Sequence, residues 1–236
     1  MRTIYLFLSI LVSIPVFSQS LIGAWEGITT EENGDQTRMV VIFSEKHQVA
    51  TWYDLETGKF QWTNGGLYSL DGTTMTETVE FHTLEPEKVG TSVTFDIAFD
   101  GNDKVRIVGR DVWLTRIDDG GPGALSGAWL ISGRMRDGEL RERATDRPRK
   151  TMKILSGTRF QWIAYNTETK QFMGTGGGTY TTEDGKYTEN IEFFSRDDNR
   201  VGASLEFSYE LKDGKWHHSG NNSRGEPMYE VWSVRE

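Results

Sequence analysis

The sequence is written twice, and that duplication restricts the folds open to it more than any single motif. Gly177-Gly-Thr-Tyr-Thr-Thr-Glu-Asp-Gly-Lys-Tyr-Thr-Glu-Asn-Ile-Glu-Phe193 has an earlier copy, Gly65-Gly-Leu-Tyr-Ser-Leu-Asp-Gly-Thr-Thr-Met-Thr-Glu-Thr-Val-Glu-Phe81. Both copies read as strand, tight turn, strand, because Asp184-Gly185 and Asp71-Gly72 are hairpin signals between β-rich runs. Side chains alternate along a strand, so Tyr187, Glu189, Ile191 and Phe193 are expected on one face, as are Met75, Glu77, Val79 and Phe81. A carboxylate therefore sits in an otherwise apolar row twice, at the same place.

The repeat runs well beyond this stretch. Gly23-Ala24-Trp25 returns as Gly127-Ala128-Trp129, and Val89-Gly90 as Val201-Gly202. Trp113-Leu-Thr-Arg116 returns near the end as Trp232-Ser-Val-Arg235. The order is kept throughout, so the chain reads as a duplicated domain. The first unit is expected over 19–117 and the second over 125–236, each separately folded. Residues 118–124, polar and rich in glycine with one proline, read as the linker. Strands are expected at 22–30, 36–43, 47–54, 59–70, 73–83, 89–99, 103–109 and 111–117. In the second unit they are expected at 126–134, 149–155, 158–165, 170–182, 186–195, 201–212, 215–220 and 228–235. No helical periodicity of useful length appears after residue 18. Eight consecutive hairpin-linked strands suggest an up-and-down sheet, and closing it into a barrel removes its exposed edges.

Gly-x-Trp at the start of the first strand, with an arginine in the last, resembles the lipocalin signature. The positions are Gly23, Trp25 and Arg116 in one half and Gly127, Trp129 and Arg235 in the other. The halves resemble lipocalin-like domains of unknown function found in exported bacterial proteins. The resemblance implies an all-β fold: two tandem eight-stranded up-and-down barrels after a signal peptide. It also implies that the tryptophan plugs one end of each barrel with the arginine packed across it. No C-terminal helix follows either unit, a departure from the lipocalin pattern.

Residues 1–18 fit a signal peptide: Arg2 supplies the positive start, Ile4 to Val16 is apolar, and Val16 and Ser18 fit the positions before a cut. The expected location is secreted or periplasmic, with no integral membrane segment once the signal is removed. There is no cysteine, so neither a disulfide nor a lipid-modified N-terminal cysteine is available. The net charge of −9 becomes −10 when Arg2 leaves with the signal. An acidic chain is a poor partner for nucleic acid or an anionic membrane surface.

Glu77 and Glu189 lead the candidate residues, because a carboxylate among apolar neighbours must be paired, protonated or bound to something. They read either as polar anchors in a ligand cavity or as internal ion pairs. Asp111 and Glu230 form a second repeated acid position. Two acids per barrel raise the thought of a hydrolase built on paired carboxylates, and an open cleft with a fixed separation would be its requirement. Phe160, Trp162 and Ala164 share a strand face, as do Ala50 and Trp52; Arg159, opposite Phe160, is expected in solvent. His218, on the face of Trp216, is a candidate partner for Glu189 or Glu230. No full metal ligand set can be assembled around it, and no cofactor is expected. Gly174-Thr-Gly-Gly-Gly178 lacks the lysine and following helix of a phosphate loop, and reads instead as a bulge or sharp bend.

The expectation is an exported binding protein that holds a small, largely apolar or amphipathic ligand in a barrel, with hydrolysis by paired carboxylates kept as the third reading. Trp162, Tyr180, Glu189, His218, Glu230 and Trp232 would line the second barrel. Trp52, Tyr68, Glu77 and Trp113 would line the first. The competing reading is a non-catalytic accessory module with filled barrels that makes glycan or protein contacts.

Overall fold

The computed structural model describes residues 19–222 and 225–236. Residues 1–18, expected to be a signal peptide, lie outside the described residues. The first barrel closes on itself from eight antiparallel strands in sequence order. They are β1 (Gly23–Thr30), β2 (Gln36–Phe43), β3 (His47–Asp54), β4 (Phe60–Asp71), β5 (Thr74–His82), β6 (Ser92–Asp100), β7 (Lys104–Ile107) and β8 (Leu114–Asp118). The second contains β9 (Gly127–Arg136), β10 (Glu139–Glu142), β11 (Arg149–Leu155), β12 (Arg159–Asn166), β13 (Gln171–Glu183), β14 (Lys186–Phe194), β15 (Ser204–Lys212), β16 (Lys215–Asn221) and β17 (Pro227–Val234). β17 pairs with β9 and closes an eight-stranded barrel, while the short β10 only prolongs β9 into an extra hairpin arm. That arm is an element the alternation pattern had not signalled. Among the described residues, no helix is long and apolar enough to cross a membrane.

Each barrel is plugged at one end in the same way. Trp25 and Trp129 are buried, and their indole N–H groups donate to the Leu21 and Leu125 carbonyls at 2.8 and 2.9 Å. Tyr68 and Tyr180 tie the neighbouring hairpins by donating to the Ser44 and Ser156 carbonyls. Arg116 lies across Trp25, its guanidinium 4.0 Å from the ring centre, which is a cation–π contact. Arg235 departs from this pattern. It turns out of the second barrel, pairs with Glu80 of the first and donates to the Tyr165 hydroxyl.

The repeated motif carries a bulge that changes which residues share a face. Gly178 pairs with Ile191 and Gly177 with Phe193, leaving Glu192 over; Gly66 pairs with Val79 and Gly65 with Phe81, leaving Glu80 over. Only glycine fits: a Cβ on Gly178 would sit 2.0 Å from the Asn190 carbonyl oxygen, and one on Gly66 2.0 Å from that of Thr78. Tyr187, Glu189 and Ile191 stay inside as the alternation predicts. Phe193 and Phe81 do not, because the bulge flips them outward.

Outward there means into the other barrel. Phe81, Tyr53, Val40 and Ile42 pack with Phe193, Tyr165, Ile154 and Ile163 in one buried cluster between the barrels. Each such side chain contributes about 1.5–3 kcal/mol by leaving water. At its centre the Gln161 amide donates to the Thr63 and Thr175 hydroxyls and accepts from Thr51. The two bulged carboxylates exchange partners across this surface. Glu192 accepts from the Tyr53 hydroxyl and pairs with Arg38 across the interface, and with Arg159 of its own barrel; Glu80 accepts from the Tyr165 hydroxyl and pairs with Arg235. Equivalent residues thus meet reciprocally, the pattern of a two-fold interface built within one chain. Arg159, expected in solvent, is instead buried here. The chain between the barrels is tied down too, since the Asp118 carboxylate accepts from the Gly157 and Thr158 amides and from Ser156.

Candidate functional site in the second barrel

Register places the same positions opposite each other in the two barrels, so their linings can be compared directly. Val41 lies opposite Trp25, and its equivalent Lys153 lies opposite Trp129. Glu77 lies opposite Tyr68, and its equivalent Glu189 lies opposite Tyr180. At this pair of positions one substitution separates the barrels. The second holds a buried Lys153–Glu189 ion pair at 2.7 Å, and the first holds a glutamate with valine where the lysine would be. Among the described residues Glu77 has no cation, and desolvation raises its carboxyl to about 7.

Around the pair the second barrel is aromatic. Lys153 Nζ lies 4.8 Å from the Tyr187 ring centre, 4.9 Å from that of Trp216 and 5.3 Å from that of Trp232. Glu230 and His218 complete the polar lining. Glu230 is bound by Arg134, and its other oxygen is 3.7 Å from His218 Nδ1, beyond hydrogen-bond reach. Burial opposes the Glu230 anion, but the neighbouring charges of Arg134 and Lys153 favour it and hold the carboxyl below its ordinary value. Burial lowers His218, with Lys153 adding to the shift, so the imidazole is neutral. Several fully buried polar atoms around this cluster have no hydrogen-bond partner: Tyr187 Oη, Trp216 Nε1, Trp232 Nε1 and both His218 nitrogens. Burial, then the charge of Glu189, raises the Tyr187 phenol far above its ordinary value. An unsatisfied buried donor costs about 1–3 kcal/mol, so such a concentration calls for an explanation.

The expected lining residues divide. Glu189, His218, Glu230 and Trp232 meet in this lumen, with Trp162 half-buried at its edge against Phe194. Tyr180 belongs to the plugged end. In the first barrel Tyr68 also belongs to the plugged end. Trp52 stacks on Trp62 at 3.4 Å, and His82 continues the row. Trp113 stands apart: its neighbour Leu114 packs in the first barrel's core, and Trp113 lies under the Arg106 guanidinium. Asp111 is exposed before β8, so the acid pair of the second barrel has no counterpart in the first. Glu189 and Glu230 are each paired with a cation, Lys153 and Arg134.

Above the lumen lies a cleft of about 420 Å³ lined by Ile131, Gly133, Thr151, Glu142 and five arginines. Arg134 joins cleft and lumen, because the Glu230 it binds also faces His218. Lys153 and these arginines had escaped the sequence reading. Lys153 lies in an apolar strand that gives no local sign of its partner. The arginine-rich run from Arg134 to Arg149 was visible, but nothing in it says that it folds over a barrel mouth.

The topology and the Trp25–Arg116 closure define the chain as a tandem pair of lipocalin-like β-barrels. The second barrel, over residues 124–234, matches the family model described as Domain of unknown function (DUF4488). Two solved structures are similar to the chain. A lipocalin-like protein from Bacteroides uniformis ATCC 8492 shares 13% identity over 48% of this chain and 100% of its own, with a TM-score of 0.35. An uncharacterized protein from Bacteroides eggerthii DSM 20697 shares 15% identity over 47% of this chain and 98% of its own, with a TM-score of 0.32. No curated protein matches the sequence.

Proposed function

We propose that this is an exported small-ligand-binding protein whose second barrel carries the site. The supporting observation is the set of unpartnered buried polar atoms, Tyr187 Oη, both indole N–H groups and both His218 nitrogens, gathered beside Lys153 and Glu189. Few polar groups aimed into an aromatic enclosure is the design of a ligand pocket. The ligand on this reading has an apolar body that packs on the tryptophans and acceptor groups that meet the indole N–H donors. The first barrel, which has neither the buried lysine nor the arginine-rich rim, serves as the platform against which the second is held.

Native mass spectrometry of protein purified from its source should show a retained small molecule. Tyr187→Phe deletes one unpartnered oxygen and keeps the ring. If the hydroxyl is only a packing defect, the variant gains up to about 1–3 kcal/mol of stability and retains the same adduct. If it contacts a ligand, the adduct is depleted. The absence of any adduct from the wild-type protein, together with a stabilised variant, would count against the proposal and for a filled barrel.

A further inference from the structure

We propose that the arginine cleft over the mouth of the second barrel is a binding site for a small, multiply charged oxyanion, of the phosphate-ester or sulfate-ester class. This inference rests on the cleft alone and holds whether or not a ligand enters the lumen.

The chain is acidic overall, yet six of its sixteen arginines fall within residues 134–149. The fold concentrates them further. Arg134 and Arg136 alternate onto one face of β9, and Arg141 pairs directly across from Arg134 on β10. Arg143 and Arg149 close the cleft from the connection to β11, where Arg143 donates to the Arg149 carbonyl. The equivalent β1–β2 turn of the first barrel carries Glu31, Glu32 and Asp35 instead, so the positive rim belongs to one barrel only.

The protein neutralises this charge only in part. Glu142 is the acid lining the cleft. Arg134 is committed to Glu230, and Arg141 reaches Asp137 at 3.5 Å with both side chains well exposed. Among the described residues Arg136 and Arg149 have no ion-pair partner. Burial depresses Arg143, and the neighbouring charges of Arg149, Arg134 and Arg147 depress it further. An anion in the cleft would relieve that repulsion.

Arginine chemistry and the size of the cleft narrow the class. Each guanidinium offers a planar fork suited to bidentate contact with an oxyanion. A monocarboxylate can occupy one fork and leaves the others unmatched; a phosphate or sulfate group with several oxygens can engage two or three. The volume suits a small molecule. Asp137, Glu139 and Asp146 flank the cleft, and the chain's net charge of −9 opposes docking of a long polyanion such as nucleic acid.

The test is calorimetric titration of the full chain with pyrophosphate, phenyl phosphate and acetate at low salt. Pyrophosphate and phenyl phosphate should bind at least roughly 10-fold more tightly than acetate, and more weakly as salt rises. Arg136→Gln with Arg149→Gln should weaken pyrophosphate roughly 10-fold or more at unchanged melting temperature, while Arg136→Lys with Arg149→Lys should retain part of the affinity. Tyr187→Phe, in the lumen, should bind pyrophosphate as the wild type does, which separates this site from the one below it. Equal binding of acetate and pyrophosphate would overturn the proposal, as would unchanged pyrophosphate affinity in the double glutamine variant. So would a short DNA duplex that binds at physiological salt and displaces pyrophosphate.

Discussion

Glu77→Gln and Glu189→Gln make the same chemical change at equivalent positions, and the structure predicts opposite results. Glu77 lies inside the first barrel with no cation, and desolvation lifts it from 4.5 to about 7. A raised acid stabilises the fold in its protonated form. That contribution is fully present below pH 4.5, drains away as pH rises from 4.5 to 7, and is gone above it. A carboxyl moved from 4.5 to about 7 corresponds to about 3 kcal/mol at 1.36 kcal/mol per pH unit, and residual solvent contact reduces this to about 2–3. Glutamine keeps the shape and cannot ionise. Relative to wild type, Glu77→Gln should be near neutral at pH 4 and more stable by about 2–3 kcal/mol at pH 8. Glu189→Gln instead strands Lys153 among three aromatic rings, and should destabilise the fold by about 3–5 kcal/mol at pH 7. Urea melts of the three proteins at unit steps from pH 4 to pH 8 decide the matter, because acids common to all three cancel in the differences. A Glu77→Gln difference that does not change with pH would refute the reasoning, since it would mean that the carboxylate is solvated after all.

Two further outcomes follow from the packing. Trp129→Ala should cost about 3–5 kcal/mol in urea melts, the cost of deleting a buried large aromatic, and a loss under about 1 kcal/mol would mean that Trp129 is not the plug of the barrel. A protease cut in the Gly120–Gly123 stretch should leave the two halves co-eluting in gel filtration under native conditions, held by the Phe81–Phe193 cluster and the exchanged Glu80 and Glu192; separation into two stable barrels would show that this interface is weak.

The architecture was legible because a strand's period of two and its Gly-containing turns are local signals. Every expected strand is present within a few residues, from β1 at Gly23–Thr30 to β17 at Pro227–Val234. The repeat also predicted the matched acids at Glu77 and Glu189. Three features stayed hidden, each for a physical reason. Phe81 and Phe193 changed face because one extra residue at a glycine bulge reverses the alternation; the glycines announced a bulge, but not its effect on the next side chain. Arg159 looks like a surface residue until the bulge turns Glu192 of its own barrel toward it, and Arg235 looks like a closing residue until the first barrel supplies Glu80, a hundred and fifty-five residues away along the chain. Lys153 and Glu189 meet only when the strands close, so neither identifies its partner from sequence.

Duplication explains why one barrel could change. Both copies need the plug, the tied hairpins and the bulge, because these make the closed sheet and the surface by which the copies hold each other. Both have Leu21-type and Trp25-type plugs, and both spend their outward bulge residues on the shared interface. What differs lies on the lumen side and around the rim. The first barrel has Val41, an unpaired Glu77 and an acidic β1–β2 turn. The second has Lys153 paired with Glu189, a tryptophan-lined interior and an arginine-rich hairpin arm. A buried ion pair is weak evidence for stability, since well-packed apolar residues of similar volume often do as well or better. The first barrel, with valine at the lysine position, shows that the fold closes without the pair. The ion pair is therefore not a requirement of the fold, and its place in one copy, among the tryptophans and directly under the cationic mouth, is the argument for seeking the protein's chemistry there.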